Sequence, residues 1–549
     1  MSAVTGAAPA RPVAATRGDH GLTGTRRLVR FGLRRDRVRI PAWALGVAGL
    51  VGYMGLAIPL AYPDAAARQT RAAIMADPAG ALLTGPGYGL ADYTFGAMVA
   101  NELVGMISVA VALMSIFLVV RHTRAEEETG RAELVRAGAV GRYAPLTAAL
   151  VVAVVANLVV ALALVLALSA NDLALVDSVA VAVGVATVGL VFTGVAAVTA
   201  QLGDHGRSAS GTAGAVLGLA YVLRGVGDAQ QLGGSASSWA SPIGWVQQTR
   251  AFVDLRWWPL LLGLGLAVLL IAVAYVLVVR RDVGSGLVAS RPGRAGASRG
   301  LVRPVGLALR MERVSLVGWG VGLAVFAGLT GSMGQGVVDS FLEQPELAQV
   351  FGTSGAQDML LATLAAFLGF FAMAVAVYAV ISVNHLRRDE DEGRTGMVVA
   401  CGVSRPRWLG SSLAVTAVGA VVLLVVSGLA LGLGAGLSTG RAGLAGEFAV
   451  AALVHLPLVL CFAGLAALAY AARTGTWGVW LLLVASILVG LYGPILNLPD
   501  VVLDAAPFGL VPALPHEALE LGPLVAQGAV ALALVLLATR AFRRRDLTG

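Results

Sequence analysis

The sequence predicts an all-α polytopic membrane protein of about twelve transmembrane helices, arranged as two parallel six-helix repeats. Three observations carry this. Of the 549 residues, 58% are hydrophobic and only 13% charged, against about a quarter charged in soluble chains. The apolar residues fall in runs of about 20 or more, enough for a helix to cross a bilayer. In hydrocarbon every backbone group must be paired within its own segment, which forces helices. Finally, one polar loop occurs twice. Arg121-His122-Thr123-Arg124 leads through Glu126, Glu127, Glu128, Gly130 and Arg131 to Arg142. Asn384-His385-Leu386-Arg387 leads through Asp389, Glu390, Asp391, Gly393 and Arg394 to Arg405. The copies align without a gap, with His122 on His385, Arg124 on Arg387, Gly130 on Gly393 and Arg142 on Arg405.

Residues 1–40 read as a cytosolic tail and a basic amphipathic lead-in. The tail has no apolar h-region and is not a signal peptide. In the lead-in, Leu28, Val29, Phe31 and Leu33 are interspersed with Arg. That pattern fits a helix on an anionic inner surface or a plain charge flank. The first half, 41–282, carries spans at 41–62, 94–120, 143–169, 175–200, 208–223 and 257–279. External segments at 63–92 and 224–256 interrupt it, the second containing Ser241-Pro242-Ile243-Gly244. Residues 283–308, rich in Gly, Ser, Pro and Arg, read as a flexible cytosolic linker. The second half, 309–549, restarts the pattern. Leu309-Arg310-Met311-Glu312-Arg313 echoes Leu33-Arg34-Arg35-Asp36-Arg37, and Trp319 stands where Trp43 stood. Spans follow at 315–335, 357–383, 408–436, 446–472, 475–494 and 522–541, with Ala506-Pro507-Phe508-Gly509 before the last. Arg544-Arg545-Asp546 closes this half as Arg280-Arg281-Asp282 closes the first.

The net charge is +8, and all 39 basic residues are Arg. With the N-terminus inside, 33 of the 39 lie on the inner side and 6 outside. This asymmetry predicts a multi-pass protein of the cell (inner) membrane with both loops and both termini cytosolic. It also accounts for the positive charge without nucleic acid. Cys401 and Cys461 supply neither a disulfide framework nor a metal cluster. A Walker A loop needs a lysine, and there is none, so any ATP that this protein uses, with its Mg, is held by another chain. No cofactor site and no catalytic constellation is visible, which points to transport rather than an enzyme.

In the loops, Glu126, Glu127 and Glu128 before Gly130 place negative charge at the start of a short helix, roughly 130–137. Arg131 and Arg136 are then expected on the surface, where they can pair with a partner's carboxylates, and Gly138 ends the helix. Asp389, Glu390, Asp391, Gly393, Arg394 and Arg405 repeat this arrangement, although Glu133 meets Gly396. Within the spans, Glu102 beside Asn101 is the clearest ionisable residue. It is either a functional carboxylate or a wet one at the outer boundary. Asn157, Gln201 and His455 suit interhelical hydrogen bonding better than substrate contact. With Glu102 they are the candidates for a substrate pathway. The 70 Gly suit close helix packing or reflect composition alone.

The whole plan is a basic lead-in, two spans, an acidic-Gly-Arg loop, three spans, an external Pro-Gly segment and a last span. It resembles the ABC-2-type permeases of ATP-binding-cassette transporters. In its fused double-length form it is similar to polyketide-antibiotic exporters of the tetronasin type. The resemblance covers about 30–549 and is most specific at Glu126–Arg142 and Asp389–Arg405. It implies export of a hydrophobic small molecule across the lipid bilayer. It also implies that an ATPase dimer docks on the loop between the second and third spans, with one permease chain serving two ATPase chains. Two alternatives are a proton-coupled secondary multidrug transporter with Glu102 or His455 as relay, and a non-transporting module worked by an ATPase. A relay needs several ionisable residues in the spans, and few are present.

Overall fold

The computed structural model describes residues 21–76, 78–281, 284–288, 295–336, 338, 356–492 and 506–546. Among these, every regular element is a helix. Eleven helices are long and apolar enough to cross a membrane, so the chain is a multi-pass membrane protein. Its contacts divide it into two units, Met1–Pro292 and Gly293–Gly549. The N-terminal tail to residue 20, residues 283 and 289–294 of the predicted linker and residues 493–505 of the last predicted external segment lie outside the described residues.

In the first unit the lead-in is a helix, Thr25–Arg35. A turn at Asp36 separates it from span 1, Arg39–Ala61. Span 2 runs within Phe95–Glu128. Span 3 is Ala144–Ser169, span 4 Leu175–Leu202, span 5 Gly206–Gln230 and span 6 Pro259–Arg280. The segment after span 1 folds into two short helices, Ala65–Ala76 and Pro78–Leu83. In the second unit, span 7 is Pro304–Gly331, span 8 Ala356–Asp391 and span 9 Arg405–Thr439. Span 10 comprises Leu444–Ala452 and Leu456–Ala471, and span 12 is Leu521–Arg544.

Two boundaries differ from the sequence reading. Span 7 starts at Pro304 and runs unbroken through the second lead-in, because proline suits a helix's first turn; helix therefore replaces the last residues of the predicted linker. Span 10 is interrupted at Leu453–His455, just before Pro457, which has no backbone N–H to donate. The predicted eleventh span, 475–494, is helical over Trp477–Tyr492, up to the edge of the described residues.

The two units use the same neighbours internally. Spans 1 and 3, 2 and 3, 2 and 4, and 4 and 6 pack together in the first. Spans 7 and 9, 8 and 9, 8 and 10, and 10 and 12 do so in the second. Each unit has its own apolar core, built around Val111, Leu164 and Phe192 in one and Tyr378, Leu423 and Phe448 in the other. The outer faces are apolar as well. Leu158, Leu162 and Leu166 form a stripe on span 3, each 62% exposed. A contiguous face of that kind marks contact with lipid rather than water.

Candidate functional site: the duplicated loop

The loops begin where spans 2 and 8 end. In each a glycine turns the chain into the left-handed region, Gly130 at φ +69° and Gly393 at φ +74°. Only glycine adopts this conformation without steric cost. The loop helices follow, Arg131–Arg136 and Arg394–Ala400. Neither has a side-chain cap at its start. Of the acids before them, Glu127, Glu128 and Glu390 turn back toward the spans.

Glu127 accepts hydrogen bonds from Arg281 at the end of span 6, with Nη1 to Oε2 at 2.8 Å and a second bond from Nη2 to Oε1. Arg124 Nη1 donates to the same Oε2 at 2.6 Å. In the second unit Glu390 pairs with Arg545 at the end of span 12. Arg281 and Arg545 occupy equivalent places in the two halves. Both pairs are nearly dry, with side chains 5% and 9% exposed in the first and 12% and 5% in the second.

Three further contacts recur. His122 pairs with Asp36, and His385 Nδ1 lies 3.1 Å from Glu312. Arg142 donates to the Val279 carbonyl of span 6, and Arg405 to the Arg545 carbonyl after span 12. Arg124 donates to the Gly203 carbonyl in the turn after span 4, and Arg387 to Thr474 in the turn after span 10, at 3.2 Å. Each loop is thus clasped to the lead-in, to one inter-span turn and to the last span of its unit. The echoed residues were visible in the sequence. That Asp36, Glu312, Arg281 and Arg545 are their partners was not, because the pairs are separated by 73 to 155 positions.

The copies differ in the remaining acids. Glu126 pairs with Arg35 of the lead-in, and Glu128 accepts from the Gly206 amide at 2.7 Å. Asp389 instead pairs with Arg394 of its own loop, at 2.7 Å. Burial weakens the Arg394 cation, but the hydrogen bond and charge of Asp389 outweigh it and raise its pKa. Asp391 is exposed, as is Arg131, whose side chain is 59% exposed. The loop helices also expose one large apolar residue at the same aligned position, Leu134 at 78% and Met397 at 63%.

The four pathway candidates occupy separate places. Glu102 lies at the end of span 2 opposite the loop, inside a single π turn, Val99–Leu103. Its Oε2 accepts from Arg71 Nη2 at 2.7 Å and its Oε1 from Tyr93 at 3.0 Å. Burial disfavours the Arg71 cation, but Glu102 outweighs it and holds the pKa above the ordinary value. The π turn loosens the backbone ladder, and side chains fill it. Asn101 donates to the Ala97 carbonyl, and Gln247 to that of Asn101. Asn157 donates to Ser115 at 3.0 Å, joining spans 3 and 2. Gln201 sits at the loop end of span 4, where its Oε1 accepts from Arg281 at 2.6 Å. His455 lies in the break of span 10 in the other unit, 6% exposed. Among the described residues, no group of three His, Cys, Asp or Glu is placed to hold a metal.

Fold and site define a class: a multi-pass helical membrane protein with two clasped polar loops at the ends of its spans. The family described as "Multidrug efflux system permease Rv1217c, C-terminal domain" matches residues 27–278 and 301–543. The multidrug efflux system permease protein Rv1217c of Mycobacterium tuberculosis (strain H37Rv) is 39% identical over 539 residues, covering 96% of each chain. The chain belongs to this family.

Proposed function

We propose that the chain is the permease of an ATP-driven efflux system for hydrophobic drugs, of the ABC-2 type, energised by a separate ATPase pair. One observation carries the reading. The same clasp is built twice, and it leaves the same loop-helix position apolar and exposed in both copies. An apolar side chain outside the span cores, rimmed by charge, is the form of an anchor for a protein partner. A partner pressing on Leu134 or Met397 moves a loop that is tied to the first and last spans of its unit. Work done at the loop therefore reaches the spans.

The Arg asymmetry supports placing both loops and both termini in the cytosol, at the cell membrane. The missing lysine supports placing ATP and Mg in the partner. The relative's name as an efflux permease supports outward transport of drugs. Antibiotics of the polyketide class are the narrower substrate proposed here. Two loops in one chain suit two ATPase subunits.

Native mass spectrometry of the purified complex is expected to show one permease chain and two ATPase chains. Leu134→Asp with Met397→Asp is expected to release both ATPase chains while the permease keeps its unfolding midpoint. Two permease chains per ATPase pair, or full retention of the ATPase by the double variant, would contradict the proposal.

A further inference from the structure

We propose that the lead-in helix Thr25–Arg35 is a binding site for anionic phospholipid headgroups, joined mechanically to the first loop. The proposal rests on the cytosolic placement of this helix given above. One face of the helix is committed inward. Gly32 lies against Val152 of span 3 and the His122 ring, and Leu33 packs on the core. The other face carries Arg26, Arg27, Arg30 and Arg34, with Arg37 just beyond, all exposed. The only carboxylate in residues 21–40 is Asp36, which is 0% exposed and engaged by Arg121 and His122. The basic face therefore has no acid of its own segment to neutralise it.

Membrane position selects the occupant. Span 1 starts at Arg39, a few residues after the helix ends, so the arginines sit at headgroup depth. Phe31 and Val38 are 61% and 71% exposed beside them. Apolar residues next to cations on a surface helix suit the boundary between headgroups and acyl chains. A soluble acidic partner would satisfy the arginines but leave Phe31 and Val38 in water. The remaining arginine of the helix, Arg35, turns inward to Glu126 of the loop. The face that meets lipid and the residue that holds the loop thus share one rigid turn.

The test uses the full chain in nanodiscs of phosphatidylcholine with or without phosphatidylglycerol, followed by native mass spectrometry. The wild type is expected to retain phosphatidylglycerol over phosphatidylcholine by about tenfold, given the attraction of clustered arginines to anionic lipid. The variant Arg26→Gln, Arg30→Gln, Arg34→Gln, Arg37→Gln is expected to lose that preference at an unchanged unfolding midpoint. No preference in the wild type, persistence in the variant, or displacement by inorganic phosphate alone would overturn the proposal. Orientation is read separately. Arg30→Cys, in a background of Cys401→Ser and Cys461→Ser, is expected to resist an impermeant thiol reagent on intact cells. Labelling there would overturn the cytosolic placement itself. Protection combined with no lipid preference would overturn the lipid site alone.

Discussion

Glu127→Gln is expected to destabilise the chain by about 3 kcal/mol or more, the cost of removing the carboxylate that two buried arginines share. Arg281 is 5% exposed; besides the carboxylate it has Gln201 and the Ser285 carbonyl, the latter at 3.0 Å. Those neutral acceptors cannot replace a two-point charged contact. Replacing all three charges, Glu127→Leu with Arg281→Met and Arg124→Met, is expected to recover most of the loss, because Arg124 shares the same carboxylate and apolar side chains need no partner. Stability and coupling then separate. The apolar set restores the unfolding midpoint but not the directional hold on the loop, so drug-stimulated ATP hydrolysis stays low. Glu390→Gln is expected to behave alike in the second unit through Arg545. Thermal unfolding in detergent and ATPase stimulation of the same preparations check both statements. A single variant that unfolds like the wild type would show that the clasp contributes nothing.

This expectation is larger than the sequence alone supports. Read as a surface triplet, each acid would be worth about 1 kcal/mol or less. Periodicity and charge showed that the loops exist, that they are duplicated and that they sit at span ends. They did not show which way the acids face, because facing is set by contacts across 150 or so positions. Arg281–Glu127 and Arg545–Glu390 are separated by 154 and 155 residues. Span positions were legible wherever length and apolarity agreed. They blurred at Pro304 and at Leu453–His455, where local backbone chemistry decides. Gln201 was grouped with the pathway because a polar residue in an apolar run looks alike at any depth. Its bond to Arg281 places it with the clasp.

Gly432→Val is expected to disrupt the second unit, with a loss of about 3 kcal/mol or more, at the upper end of what overpacking a tight interface costs. A Cβ at Gly432 would lie 2.3 Å from the Leu444 carbonyl oxygen and 2.7 Å from the Ala445 Cα. One turn earlier, a Cβ at Gly428 would lie 2.2 Å from the Phe448 oxygen. These are backbone atoms of the adjoining helix and cannot rotate away, so span 9 and Leu444–Ala452 must separate. Gly410 lies on the same span with nothing within 4 Å, and Gly410→Ala is expected to leave the midpoint unchanged or raise it slightly, since alanine is the better helix former. Close packing thus accounts for some glycines of this span and not for others. An unchanged midpoint for Gly432→Val would mean that the two helices do not approach this closely.

Under the proposed function, ATP hydrolysis in a partner, relayed through the two loops, drives a hydrophobic drug through these spans. Reconstitution into liposomes with the ATPase, scored by accumulation of a fluorescent hydrophobic drug, is the decisive experiment. Accumulation is expected to need ATP, to ignore an imposed proton gradient, and to disappear in Leu134→Asp with Met397→Asp. Accumulation driven by a proton gradient without ATPase, and abolished by Glu102→Gln, would contradict it.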